Sequence, residues 1–377
     1  MALYARGVTV AIASEPRGRR LGKVVAWLGG VVLVFAFCQL VGFDVWGWLK
    51  SLWDTITSIP AQYLVGGVVL QSGQTLFAGY SYYGILAAAY PDEVSVRPIV
   101  TAYAVGVAGN SFLPANLGTM ITLLMFVAIV PSCTFAGSLA AYLVQKIFFT
   151  IVGAFVYLYL FLSVPGSFDI SFGNESSHPL LTLGIVLGCV FLLVVIARVF
   201  WRQVKKLWAQ AKQGGVILSE PRQYLKRVFL PETLSYACKM GVIAVFLAAF
   251  AIPVTFESIL WVIGSGSLAN VASFTPGALG VTQATNALAL KTCCAVPQSQ
   301  AVDYSLAQQL VTSAWNVVLA VVLVVWVFGW TGGKQIVGGA YADAKVKKEE
   351  MQEARRRKHE EKKAAKAAAK AERREMP

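Results

Sequence analysis

Long apolar runs alternate with short polar segments along most of the chain. About 20 apolar residues are enough for a helix to cross a bilayer. Two segments, at about 98–136 and 256–303, are apolar but interrupted by Pro, Gly and amide residues. Uninterrupted runs predict membrane spans at about 24–42, 61–89, 138–163, 179–200, 231–252 and 306–330. The pattern therefore predicts an all-α polytopic integral membrane protein.

The two interrupted segments share a short motif, Pro-(Ala/Gly)-x-Leu-Gly. It begins at Pro114 in the first segment and at Pro276 in the second, 162 positions later. Pro and Gly beside polar residues indicate a helix that stops partway and restarts, which survives at membrane depth only where protein or water satisfies the backbone. Matched breaks in two halves are typical of a transporter's binding site. We therefore expect two broken or re-entrant helical hairpins.

The distribution of charge predicts how the chain is threaded. Basic residues are concentrated in the N-terminal flank 1–23, in a loop at about 201–230 and in a charged tail at 331–377, whereas the loop 164–178 has no Lys or Arg. Basic segments remain cytoplasmic, so both termini are expected inside and the loop 164–178 outside. From Lys345 to Arg374 the tail is nearly all Lys, Arg, Glu and Ala, so this stretch is expected to be a solvated helix or a disordered arm.

The same threading divides the membrane part into two halves, 24–163 and 179–330. Each half would contain two spans, a broken or re-entrant hairpin and a closing span. Because the second half starts from the opposite side of the membrane, the two halves are expected to have inverted topology.

Composition agrees with an integral membrane protein and narrows its chemistry. The chain is 57% hydrophobic and 14% charged, with a mean hydropathy of +0.63. The net charge of +13 lies beside the predicted spans, so it does not indicate nucleic-acid binding. The six cysteines lack metal-ligand spacing and are expected to be small buried residues. Cys293 and Cys294 are expected to stay unbridged, because a disulfide between neighbours is strained.

Polar residues in and around the two motifs are the candidate substrate-binding and gating residues. The first set is expected to face the second near the middle of the membrane, where helix N-termini favour anions. The competing explanation is close helix packing through small residues, which is favoured for Thr285 and Asn286. The candidates are Asn110, Ser111, Pro114, Asn116, Gly118, Thr119, Asn270, Ser273, Pro276, Gly277, Gly280, Thr282 and Gln283.

Three ionisable residues inside the predicted spans form a second candidate. Lys146 lies in the fourth span and Lys239 in the sixth, near Glu232. Charged residues within membrane spans usually have a function, and a pair of lysines could hold a phosphate that enters from the inner leaflet. An equally good explanation is that the long lysine side chains reach the membrane surface.

Catalysis is not expected. The sequence has no phosphate-binding Gly-x-x-x-x-Gly-Lys-(Ser/Thr) loop, no Gly-x-Ser-x-Gly and no His-Glu-x-x-His. The carboxylates nearest the membrane surface are interpreted as loop charges; they are Asp92, Glu93 and Asp303. No cofactor or metal is expected.

The motifs resemble those of the transmembrane, flippase-like family of lysylphosphatidylglycerol synthases. The matching elements are Leu113-Pro114 to Gly118, Gln145-Lys146 and the segment Pro276 to Gly280. The resemblance extends over about 24–330 and implies a stand-alone lipid flippase. Two features depart from the family pattern: Gln145-Lys146 replaces a Glu-Arg pair, and Ala278 replaces a glycine. A charged tail follows where the synthases have an aminoacyltransferase domain, so synthase activity is not implied.

The sequence thus predicts a lipid flippase of the bacterial cytoplasmic membrane. It would move a phospholipid or lipid-linked headgroup between leaflets by alternating access of its two halves. The expected partners are membrane lipids with anionic headgroups and, through the tail, a protein of cell-envelope synthesis. The alternative is a non-transporting scaffold or a membrane-embedded transferase in cell-envelope lipid metabolism.

Overall fold

The computed structural model describes residues 59–113, 117–163, 216–272 and 278–375, together with Lys50, Asp54 and Thr57. All regular secondary structure in these ranges is helical. The chain divides after Ser58, and every helix named below belongs to the unit Ile59–Pro377. The predicted spans at 24–42 and 179–200 and the predicted outer loop at 164–178 lie outside the described residues.

Nine α-helices are described, with a 3-10 turn at Val216–Ser219 and a π-helical turn at Leu225–Phe229. In chain order the helices are α1 (Ala61–Ala89), α2 (Val96–Phe112), α3 (Leu117–Ile129), α4 (Phe135–Ser163), α5 (Pro221–Tyr224), α6 (Leu230–Ala249), α7 (Phe256–Ala272), α8 (Val281–Cys294) and α9 (Gln298–Glu375).

Both interrupted segments are pairs of helices, as their motifs predict. Helices α2 and α3 flank the break at 114–116 and pack against each other, and α7 and α8 do the same around 273–280. Pro114 lacks the backbone N–H that a continuous helix needs. At the second break Gly280 has φ +85°, a conformation that favours glycine.

Several helices have the character of membrane spans. The segments Phe135–Val156, Pro221–Ala249 and Gln298–Val346 are long and apolar enough to cross a bilayer. The face of α9 that carries Val318, Val322 and Val325 is exposed although it is apolar, which suits contact with lipid. Helix α1 has 29 residues and matches the predicted span 61–89, but it also contains several buried polar side chains.

Helix α1 is central to the packing, because it contacts α2, α4, α6 and α9. Its packing is close: a side chain at Gly67 would collide with Phe246 of α6, and one at Gly84 would collide with the backbone of Arg227 in the π-helical turn. The hydrophobic core at this helix includes its own Tyr82 and Leu86 and Phe126 of α3. Helix α1 ends at Ala89, just before Pro91, since a residue preceding proline disfavours helical backbone.

The charged tail is an extension of α9. The helix breaks its regular geometry at Gly329, which has φ +71°, and then continues to Glu375. Ile336, Ala340 and Ala344 pack into the same core as α2 and α3. The first part of the tail is therefore held by the core, because it carries mainly small and apolar residues. The stretch that is expected to be a solvated helix or a disordered arm begins after it, at Lys345, and the helix continues through this stretch.

The cysteines agree only in part with their prediction. Cys293 and Cys294 are joined by a disulfide, so the expectation that these neighbours stay apart is corrected. Cys133 is a buried free thiol in the turn between α3 and α4. Burial raises the pKa of the Cys133 thiol, which keeps it protonated and unreactive, as expected of a packing residue.

Candidate functional site

A buried carboxylate joins α4 to α6. The side-chain amide Nε2 of Gln145 donates a hydrogen bond of 2.7 Å to Oε1 of Glu232. Glu232 is 0% exposed and Gln145 2%. The other carboxylate oxygen, Oε2, makes no hydrogen bond to any described residue. A fully buried charged group with one oxygen unsatisfied is costly, so it usually has a functional reason.

Polar and aromatic side chains from several helices surround this carboxylate. Ser81 of α1 lies beside it, but the hydroxyl is not in hydrogen-bonding geometry, and its Oγ is also unsatisfied. Tyr82 of α1, Tyr103 of α2 and Tyr224 of α5 are near enough to interact with Glu232 electrostatically. Helices on both sides of the first break therefore contribute to one polar cluster.

The two predicted lysines lie at the same cluster. The Nζ of Lys146 is 4.9 Å from the ring centroids of both Tyr142 and Phe149, a favourable cation–π geometry. Lys146 interacts electrostatically with Glu232 and with Lys239. Lys239 lies about two helical turns beyond Glu232, and both lysines are half-buried. We call Glu232, Lys146 and Lys239, with Gln145, the charged cluster.

A neutral polar contact that the sequence analysis missed joins α1 to α9. Gln71 donates from Nε2 to Oδ1 of Asn316 at 3.0 Å, and both side chains are buried. The indole N–H of Trp315 donates to the Ser72 hydroxyl at 2.7 Å. The only signal in the sequence is the run of polar residues at 71–75 inside an apolar span, which does not reveal its partners.

The first predicted gating residues join the two helices of their own hairpin. The Oδ1 of Asn110 accepts from the backbone N–H of Thr119, and its Nδ2 donates to the Thr119 hydroxyl, both at 3.1 Å. Gly118 lies against the Gly106 carbonyl and Asn110, with no room for a side chain. Ser111 donates to Val107 in its own helix. Asn110 thus caps the N-terminal turn of α3.

Replacing Asn110 by alanine is expected to lower the free energy of unfolding by about 1–2 kcal/mol, since the cap of α3 is lost. The measurement is thermal or denaturant unfolding of the purified protein in detergent. Ser111→Ala is the matched control, because Ser111 only donates back to its own helix; its effect should be much smaller. Equal losses for the two variants would contradict the assigned role of Asn110.

The second set of gating residues is also tied within its own half. Gln283 accepts from the backbone N–H of Gly280 and donates to Gln309 of α9, both at 2.6 Å. Thr282, in the first turn of α8, is half-buried. Asn270 lies on α7, and its side chain is not among those described.

Asn286 is a buried connector between three helices. Its Nδ2 donates to Ser305 of α9 at 2.8 Å, and its Oδ1 accepts from Ser265 of α7 at 2.5 Å. Thr285 donates to backbone carbonyls of its own helix. These contacts agree with the interpretation of Thr285 and Asn286 as packing residues.

The described structure does not bring the two hairpins together as expected. Neither α2 nor α3 packs along α7 or α8 within the described ranges. Five predicted gating residues lie outside the described residues: Pro114, Asn116, Ser273, Pro276 and Gly277.

The comparison with protein families decides which group this fold and site belong to. The family model described as the lysylphosphatidylglycerol synthase TM region matches residues 21–321. The chain belongs to this family. No curated protein and no solved structure matches the chain.

As a member of the lysylphosphatidylglycerol synthase TM-region family, the chain is a membrane protein connected with lipid or cell-envelope metabolism. The family match extends over both hairpins and the charged cluster. It therefore confirms the resemblance that the short motifs indicated.

Proposed function

We propose that this protein moves an anionic phospholipid or lipid-linked headgroup between the two leaflets of a bacterial cytoplasmic membrane. It acts as a transporter, not as an enzyme, by alternating access of two inverted halves. The observation that carries the proposal is the charged cluster, in which two half-buried lysines accompany a fully buried carboxylate. In a membrane protein such buried charges mark substrate pathways.

The lysines suit a phosphate headgroup. Lysine ammonium groups bind phosphate as point charges, and Lys146 and Lys239 interact with each other, so bound phosphate would relieve their mutual repulsion. Lys146 lies about three helical turns from the start of α4. A headgroup at this depth would have left the membrane surface, which is the step that a flippase must assist.

The packing of α1 on α6 supports inverted halves. The two helices run antiparallel, since Gly73 meets Cys238 whereas Gly66, earlier in the chain, meets Val245. The Ser235 hydroxyl donates to the Gln74 carbonyl, 161 positions away, which is close to the spacing of 162 between the motif prolines. Equivalent residues of two halves can touch only near the axis that relates them, so this axis would pass between α1 and α6.

The buried polar contacts also join corresponding pairs of helices in the two proposed halves. Gln71 joins α1 to the closing span of the other half, α9, and Glu232 joins α6 to the closing span of the other half, α4. Helices α1 and α6 are equivalent in the proposed repeat, as are α4 and α9. One contact is neutral and the other is charged, so the two halves would offer a headgroup different environments.

The helix lengths support re-entrant hairpins. Helix α2 has 17 residues and α3 has 13, which correspond to about 25 Å and 20 Å. Both are shorter than the roughly 30 Å of a hydrocarbon core. We infer that the hairpins enter the membrane and return to the same side, with both chain termini in the cytoplasm and the tail available to a cell-envelope partner.

Transport is tested with purified protein in liposomes that contain a fluorescent phosphatidylglycerol. We expect the wild type to move the labelled lipid between leaflets, measured by the fraction that an external quencher reaches. Lys146→Met and Lys239→Met are each expected to reduce the initial rate at least tenfold, because the headgroup loses its counter-charge.

The matched control is Lys291→Met, which removes an exposed lysine at the end of α8 and should leave the rate unchanged. All variants must elute as monodisperse protein with an unchanged thermal midpoint. A wild type that moves no lipid, with or without a proton gradient, would contradict transport and favour the scaffold alternative.

A further inference from the structure

We propose that Glu232 is a proton-binding site coupled to the headgroup site, so that the protein takes up one proton with each anionic headgroup it binds. The inference rests on the proposed function and specifies its co-substrate. The step balances simply: the Glu232 carboxylate and one proton form a carboxylic acid as the phosphate arrives beside Lys146 and Lys239.

The first argument is the unsatisfied half of the carboxylate. Gln145 satisfies only Oε1, while Oε2 is buried without a hydrogen bond. A negative charge in this position costs free energy, and a buried acid commonly takes up a proton and becomes neutral instead. Protonation of Glu232 is therefore compatible with the fold.

The second argument is a serine beside the carboxylate. The Ser81 hydroxyl is buried, unsatisfied and adjacent to the carboxylate. A serine hydroxyl can donate to a carboxylate, and it can equally accept from the O–H of a carboxylic acid. Ser81 can thus complete the hydrogen bonding of Glu232 in either protonation state, which is the property that a reversible proton site needs.

The third argument is electrostatic. The charge that faces Glu232 comes from Lys146, supported by Lys239 through the interaction between the lysines. A phosphate bound to these lysines would place a second negative charge beside the carboxylate. Like charges disfavour each other's ionised forms, so the arriving headgroup drives protonation. Among the residues that the structure describes, the other titratable groups of the cluster are tyrosines, neutral near pH 7: Tyr82 of α1, Tyr103 of α2, Tyr142 of α4 and Tyr224 of α5.

Linkage fixes the sign of the pH dependence. If headgroup binding favours the protonated acid, then protonation favours headgroup binding by the same factor. Raising the pH should therefore weaken binding by the wild type, approaching about tenfold for each pH unit where the free protein has lost this proton. Glu232→Gln keeps a neutral side chain of the same shape at every pH, so its binding should not depend on this proton.

The experiment measures binding of dihexanoyl phosphatidylglycerol to the purified full-length protein between pH 5.5 and pH 9, by titration calorimetry in two buffers of different ionisation heat. The comparison of buffers gives the number of protons taken up. We expect proton uptake with the wild type, tight binding without uptake by Glu232→Gln, and wild-type behaviour for Glu220→Gln, which changes an exposed glutamate.

Each outcome decides the proposal. Binding by the wild type without proton uptake, or equal uptake by wild type and Glu232→Gln, would overturn the proton site while leaving the headgroup site intact. No binding by either protein at any pH would overturn the headgroup site, and with it the proton site. Loss of binding in Glu232→Gln alone, in well-folded protein, would assign Glu232 to holding the lysines rather than to carrying a proton.

Discussion

Replacing Gly118 by valine is expected to lower the free energy of unfolding by about 3 kcal/mol or more, because α2 and α3 must separate. A Cβ atom at Gly118 would overlap the Gly106 carbonyl oxygen and the backbone nitrogen of Asn110. These are backbone atoms, so no change of rotamer can make room. The same movement would break the contacts between Asn110 and Thr119.

The loss is measured as a shift of the denaturant midpoint in detergent, followed by tryptophan fluorescence. The matched control is Gly153→Val in α4, where nothing lies within 4 Å of the added Cβ. Its stability should stay within experimental error of the wild type. A Gly118 variant as stable as the Gly153 variant would show that the first hairpin does not pack as described.

Replacing Gln145 by leucine is expected to cost about 3 kcal/mol, since Glu232 would be left buried without its hydrogen bond. The double variant Gln145→Leu with Glu232→Leu should be more stable than Gln145→Leu alone, because no unsatisfied charge remains. The unfolding free energies of the wild type, the two single variants and the double variant form a double-mutant cycle.

A surface pair provides the control for this cycle. Gln223 donates to Glu220, and both side chains lie near or at the surface. Exposed pairs contribute little, so Gln223→Leu should have no measurable effect on unfolding. Additive effects of Gln145→Leu and Glu232→Leu would mean that these two residues do not depend on each other.

The sequence predicts the individual helices well, because their signals are local. The apolar run at 61–89 coincides with α1, and the first interrupted segment consists of two helices, one ending at Phe112 and the next beginning at Leu117. Proline and glycine act on their own backbone, so their effect is readable without knowledge of the fold. The packing of the first part of the tail is harder to predict, because the burial of Ala340 and Ala344 depends on which surface of α2 and α3 is left uncovered by other helices.

The site is predicted in its composition but not in its pairing. Lys146, Lys239 and Glu232 are recognisable because charges are rare inside apolar runs. The Gln145–Glu232 contact spans 87 positions and Gln71–Asn316 spans 245, and one sequence contains no signal that joins such distant residues. The sequence predicts that Asn110 faces the other hairpin, whereas in the structure its side chain forms hydrogen bonds with Thr119, nine positions away.

The distance along the chain between Gln71 and Asn316 has a consequence for biosynthesis. A ribosome adds about 5–20 residues per second, so the 245 positions between these residues take roughly 12–50 s to synthesise. During that interval α1 has emerged without the amide and indole that later satisfy its polar face. The nascent chain must therefore keep α1 at the translocon, at the membrane surface or beside a chaperone until α9 arrives, and the order of insertion need not be the order of synthesis.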